Sequence, residues 1–279
     1  MSRASESRVN PTAEFGVIGA GALSKSLIGQ LPRKVRQIGP VAAVSFRLAS
    51  RMTNSLRAGH AVRDASELNG ISVILFHAPA IQARGIADLL DAAQIDWKEK
   101  SLIFCDCEVP IPVVERFRSR GASTAVARQF GIAGTIMVEG TAPALTHALR
   151  LASELQLRPV EISPGTSDLF AATLTLATAA LTPLINRAAS LLRATGLRDK
   201  AAVKMATALF AQTIQEYGHS GRQSWAWHVR EPEAEQIEGQ IAAVEEPFRG
   251  LFRDLILRGF DDFEKHRGVA EELRKVDFR

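Results

Sequence analysis

Residues 15–26, FGVIGAGALSKS, hold the first spacing in the chain that could do chemistry. Gly19 and Gly21 stand two apart after an apolar run, and Ser24 stands three beyond Gly21. In a dinucleotide turn the first glycine permits the tight bend and the second lets the backbone approach the pyrophosphate. The third allows close contact between helix and strand. Gly19 and Gly21 suit the first two roles. Ser24 is small enough for the third, and its hydroxyl can bond backbone or phosphate. Ala20, Ala22 and Leu23 complete the turn. A helix predicted to begin near Ala22 would aim its free N–H groups at the anion.

An NAD-type site places an Asp or Glu about 20 residues further on, where it grips the ribose. No Asp or Glu occurs between Glu14 and Asp64. The second strand, predicted over Val41–Phe46, runs instead into Arg47, with Arg51 four residues later. A carboxylate repels a 2′-phosphate, whereas guanidinium groups bind one bidentately. The pattern favours NADP over NAD; the competing reading is that Arg47 and Arg51 coat a solvated surface. Residues 1–60 carry nine Lys/Arg against Glu6 and Glu14, so most of the positive charge of a +4 chain sits beside the glycine turn. Such a field suits a phosphorylated small ligand. Aromatic interleaving and recognition motifs are missing, so nucleic acid is not expected.

Other residues qualify by position. His77-Ala78-Pro79 ends a strand, and ligands of open sheets lie beyond the carboxyl ends of strands. His77 and Pro79 therefore fall near the reactive half of a dinucleotide. Asp106, between Cys105 and Cys107, has a similar place; a structural role is open for both His77 and Asp106. The two cysteines read as reduced thiols of a cytosolic protein, too close for an ordinary disulfide and too few for a metal site. Tyr217–His228 gathers the single tyrosine, two of six histidines and two of three tryptophans. That suits a substrate cleft or an oligomer interface, or a plain connecting loop.

These residues need elements to hold them. Up to about residue 163 short apolar runs alternate with amphipathic stretches: Phe15–Ile18, Val41–Phe46, Ser72–Phe76, Ser101–Cys105, Ser123–Ala127, Thr135–Val138 and Pro159–Ile162 read as strands. The alternation predicts an α/β fold, a doubly wound Rossmann-like parallel sheet. After Ser163-Pro164-Gly165 only helical patterns follow, over 166–195, 198–217, 232–243 and 245–264. Three parts result: a flexible N-terminus (1–13), a dinucleotide-binding domain (14–163) and an all-α C-terminal domain (164–279). The first dozen residues lack an apolar stretch, so they are not a secretory signal, and a cytoplasmic location is expected. Leu169–Asn186 runs 18 residues without a charge, at the lower limit of a membrane span. Its four threonines and Pro183, and the flanking Asp168 and Arg187, predict a helix buried inside the protein or a dimer instead, with no membrane.

The VIGAGALSKSL start, the strand ending ILFHAP and the passage LASELQLRPVEISPG before an alanine-rich helix resemble one family. It comprises NADP-binding oxidoreductases with a Rossmann-like N-terminal domain and a helical C-terminal domain of unknown function. Their plan is similar to that of pyrroline-5-carboxylate reductase and the 6-phosphogluconate dehydrogenase superfamily. The resemblance implies NADP as cofactor, a small-molecule substrate in a cleft between the domains, and a homodimer through the C-terminal helices. The chain departs from the family where Ala127-Arg128-Gln129-Phe130 replaces a His-Pro pair and where the long helix opens Phe170-Ala171-Ala172. The expected function is an NADP-dependent reductase or dehydrogenase, with His77, Arg128 or Tyr217 as proton donor. The alternative is a non-catalytic NADP-binding sensor or scaffold.

Overall fold

Eight strands arise from the apolar runs: Phe15–Gly19 (β1), Ile38–Ala43 (β2), His60–Ala61 (β3), Val73–His77 (β4), Ser101–Cys105 (β5), Ser123–Gln129 (β6), Thr135–Gly140 (β7) and Arg158–Glu161 (β8). The computed structural model describes residues 14–21, 23, 26–31, 37–106, 109–221, 233–261 and 267–276. One sheet holds all eight strands in the order β3-β2-β1-β4-β5-β6-β7-β8. Every neighbouring pair is parallel except β6 with β7. The first six strands thus follow the doubly wound order, in which the direction of winding reverses between β1 and β4.

Side chains alternate across the sheet. Val17, Leu75, Ile103, Ala125 and Val138 face one layer, where Leu27–Gln30 (α1), Phe46–Leu56 (α2) and Ala144–Glu154 (α5) pack. Ile18, Ile74, Phe104, Val126 and Met137 face the other, under Ala80–Ala92 (α3) and Ile111–Arg118 (α4). In α3 the buried positions are Ala83, Ile86, Ala87 and Leu90, the i, i+3, i+4, i+7 spacing of a one-sided helix. The strands are apolar on both faces because helices cover both.

The structure corrects three details. β2 begins at Ile38 and ends at Ala43, so Phe46 and Arg47 open α2 and do not close the strand. The pairing of β1 with β2 shifts by one residue between Phe15 and Val17, which makes room for Pro40 inside the strand. β3, two residues long, was too short to show a pattern. The helix expected from Ala22 begins at Leu27: Leu23 is not helical, and Ser26 caps α1 by accepting the Gly29 N–H at 3.2 Å.

By its contacts the chain divides into two compact units between Leu174 and Thr175. The division falls inside one continuous 28-residue helix, Ser167–Ala194. Within it Ser167–Thr175 (α6) and Leu181–Ala194 (α7) flank a π-helical turn at Leu176–Ala180. Pro183 lacks the N–H that Ala179 would bond in an α-helix, and the wider turn sits just ahead of it. The Thr182 hydroxyl donates to the Thr178 carbonyl at 3.0 Å instead.

In the second unit α7 packs along Asp199–Ser220 (α8). Ala234–Ala243 (α9), Phe248–Asp261 (α10) and Arg267–Lys275 (α11) share a small core of Ile237, Ile241, Leu257, Phe260, Ala270 and Leu273. The helix Ser167–Ala194 is long and apolar enough to cross a membrane, and none of its most apolar window is buried. Outside that window Ala189 is buried, and near the start of the helix Phe170 and Leu174 pack partly against the sheet core, so the segment expected to be buried is so only in places.

Candidate functional site

At the reversal between β1 and β4, Gly19 and His77 are direct neighbours in the sheet. A Cβ on Gly19 would overlap the carbonyl oxygen of His77, so only glycine fits there. The next residue, Ala20, is buried and donates its N–H to that same carbonyl at 2.8 Å. Gly21 then turns the chain at φ +95°, a conformation L side chains rarely take, and lies exposed against the Pro79 ring. Leu23 is buried, and its carbonyl accepts from both the N–H and the hydroxyl of Ser26. The sequence roles of Ala22 and Ser24 lie outside the described residues. Main-chain atoms of β1, the turn and β4 thus form the tight bend that a dinucleotide turn requires.

Asp106 shapes the other side of this bend. It follows β5 at φ +52°, and its N–H donates to the Ala127 carbonyl at 2.9 Å. One carboxylate oxygen accepts the Leu27 N–H at 2.5 Å, the other the Gln129 N–H at 3.4 Å. The first N–H of α1 is therefore taken by the protein's own carboxylate. Any pyrophosphate binding falls to the turn itself and not to the helix start expected at Ala22. Burial pushes the Asp106 carboxyl above its usual range, against the two backbone N–H groups and the positive charge of His77 and Arg128. The sequence flagged Asp106 only by position; its partner Leu27 is too distant in the chain to be read there.

His77 is half-buried at the end of β4. Its Nδ1 lies 3.0 Å from the Cys105 carbonyl, which can only accept, so Nδ1 carries the hydrogen and Nε2 is the nitrogen left for chemistry. Arg128, on β6, is half-buried near Asp106. The structure thus brings His77, Asp106 and Arg128 to one crest, at the carboxyl ends of β4, β5 and β6. Tyr217 lies in the second unit, exposed on α8. Residues 222–228 of its cluster are outside the described residues.

Arg47 and Arg51 are one turn apart on α2, both exposed. Ser45 caps this helix, accepting the Leu48 N–H at 3.3 Å, and its first turn holds no acid. One cation was not foreseen. Arg63, just beyond β3, lays its guanidinium 4.6 Å from the centre of the Phe46 ring. Its only sequence signal was its place after the apolar Ala61-Val62, one residue short of the window's closing Asp64.

The apolar surface of the first unit has a pattern. Its exposed large apolar residues, among those described, are Val44, Phe46, Ile81, Ile111, Ile132 and Leu169. The first five all lie just past the carboxyl ends of β2, β4, β5 and β6. Ile81 is 91% exposed, two residues beyond Pro79. Ligands of open α/β sheets bind beyond this same end of the strands.

Fold and rim together define the architecture: a Rossmann-type dinucleotide fold joined to a helical C-terminal region, shared with NAD(P)-dependent oxidoreductases of known structure. The chain is similar to an imine reductase from Aspergillus terreus in complex with NADPH4 and a dibenzazepine (TM-score 0.67, 14% identity, 91% of this chain and 96% of that one). It is also similar to an imine reductase variant from Myxococcus stipitatus in complex with NAD+ (TM-score 0.64, 12% identity, 94% and 99%). A third is a reductive aminase from Aspergillus terreus in complex with NADPH4, cyclohexanone and allyl amine (TM-score 0.61, 13% identity, 93% and 98%). No family model and no curated protein matches the sequence.

Proposed function

We propose that this chain is an NADP-dependent oxidoreductase acting on a small carbonyl- or imine-type molecule. The observation that carries the reading is α2: an acid-free first turn with Arg47 in it, beside a glycine turn built for close backbone approach. The groups present fit the cofactor. Gly21 leaves room for the pyrophosphate and Gly19 lets β1 and β4 close up beneath it, with Ala20 and Leu23 holding the turn in place. Arg47 and Arg51 receive the 2′-phosphate. Val44 and Ile81 supply apolar surface for the adenine, with Pro79 beside the turn. When bound, the nicotinamide supplies the hydride. His77 is the proton donor we favour: in its imidazolium form Nε2 carries the proton to be given up, while Nδ1–H stays on the Cys105 carbonyl, with Asp106 and Arg128 beside it. Arg128 and Tyr217 are the other candidates.

The same reading includes a homodimer. Leu176, Leu191, Val203, Leu209 and Ile214 are exposed along α7, α8 and the turn before them, and a second copy would cover them. A cytoplasmic location belongs to the proposal as well, resting on a chain with only two cysteines among its 279 residues. The test is oxidation of NADPH in the presence of cyclohexanone and a primary amine, the pair that the reductive aminase binds. Turnover above the protein-free rate, lost in His77→Ala, supports the reading. Binding of NADPH with no turnover on any carbonyl, amine or cyclic imine would remove its catalytic half.

A further inference from the structure

The Phe46–Arg63 contact joins two elements at one edge of the sheet. Phe46 is the first residue of α2, and Arg63 follows β3, which pairs with β2 at the edge of the sheet. A guanidinium held over a ring face is attracted by the ring's electrons and keeps its N–H groups for other partners. The ring thus holds the arginine without neutralising it. The adjacent Asp64 uses Oδ1 to accept the Ser66 N–H at 2.8 Å, and no ion pair joins it to Arg63 among the described residues. Arg47 is the next residue after Phe46, so arginines from two different strand–helix units are carried at the N-terminal end of α2. Like charges gathered on a surface repel unless an anion bridges them.

We propose that Arg63 is a third, pre-positioned ligand of the 2′-phosphate, and that Phe46 is the positioning residue which holds it. This rests on the NADP reading above. The choice between NADP and NAD is then made jointly by β3 and α2, and the stack fixes one arginine before the phosphate arrives. Pre-positioning lowers the ordering penalty of binding, which free arginines on a helix would carry in full. The ligand chemistry is a phosphomonoester on the adenosine 2′-oxygen.

The test uses four probes on the full chain: NADP, NAD, 2′,5′-ADP and 5′-AMP, each titrated by calorimetry. Arg63→Ala should weaken NADP and 2′,5′-ADP at least tenfold and leave NAD and 5′-AMP within twofold. Phe46→Leu keeps the arginine but removes its platform. It should weaken the same two probes, and Arg63→Ala added to it should cost little more, because the two residues act as one unit. Arg63→Lys restores charge but not the guanidinium and should recover only part of the loss. A wild-type chain that prefers 2′,5′-ADP over 5′-AMP, with Arg63→Ala and Arg63→Lys both unchanged, overturns the role of Arg63 and spares the NADP reading. A wild-type chain that binds the two fragments equally overturns both. Equal losses on all four probes would mean the stack supports the fold alone, and would also overturn the proposal.

Discussion

The carboxylate of Asp106 accepts the backbone N–H of Leu27 at 2.5 Å, across 79 positions of sequence. The same side chain reaches Gln129 on β6. One residue therefore ties the end of β5, the end of β6 and the helix after the glycine turn. It does so as a half-buried acid whose affinity for its proton is raised.

That raised affinity fixes the sign of a pH effect. The folded chain keeps the Asp106 proton to a higher pH than the unfolded chain, whose value is near 3.8. The contribution to stability is full below that value and is lost as pH rises through the higher, folded one. Chemical denaturation of wild type and Asp106→Asn between pH 3 and 7 should show the wild type losing ground relative to the variant with rising pH. Parallel curves would mean that the carboxyl does not titrate differently in the folded state.

Gly19 and Gly21 should fail in different ways. Gly19→Ala drives a methyl into the main chain of β4, which cannot yield as a side chain could. Its cost should reach the upper end of overpacking, about 3 kcal/mol, and appear as a lower melting midpoint. Gly21→Asp meets nothing but the Pro79 ring and costs only the strain of a side chain at φ +95°, about 1–3 kcal/mol. It should fold and yet lose dinucleotide binding in calorimetry, because a carboxylate then faces the pyrophosphate. Unchanged affinity in a folded Gly21→Asp protein would move the site elsewhere.

Much of this was legible in advance. Strands such as β5 and β7 are unbroken apolar runs bounded by turns, and α3 shows its buried stripe in sequence. The glycine pair marked the turn because its need is local. What escaped has physical reasons. The end of β2 was misread because the apolar residues run on through Val44 and Phe46, while Ser45 between them caps α2. The bulge at Pro40 hid the strand's beginning. β3 is two residues long and exists only because β2 offers it an edge. The Asp106–Leu27 and Arg63–Phe46 contacts depend on which strands end side by side, and no spacing in one sequence reveals that.

The arginines of α2 should differ. Arg47 stands in the first turn, and Arg51 one turn further along. Each change to alanine should weaken NADP by about 1.5–3 kcal/mol, the range for a hydrogen bond to a charged group, with Arg47 the larger. NAD binding should hardly move. Equal losses for both cofactors in calorimetry would make the two residues supports of the helix.

The exposed apolar helices predict association. Light scattering at micromolar concentration should give twice the chain mass, and Leu209→Glu, placed on the open face of α8, should halve it. A monomeric wild type would leave these helices uncovered by a second copy.

The most direct measurement is calorimetry of wild-type protein with NADP and NAD side by side at two salt concentrations. The account predicts tighter binding of NADP, by at least tenfold at low salt, and a gap that narrows as salt screens the guanidinium–phosphate pairs. A preference for NAD, or no binding of either dinucleotide, would contradict it.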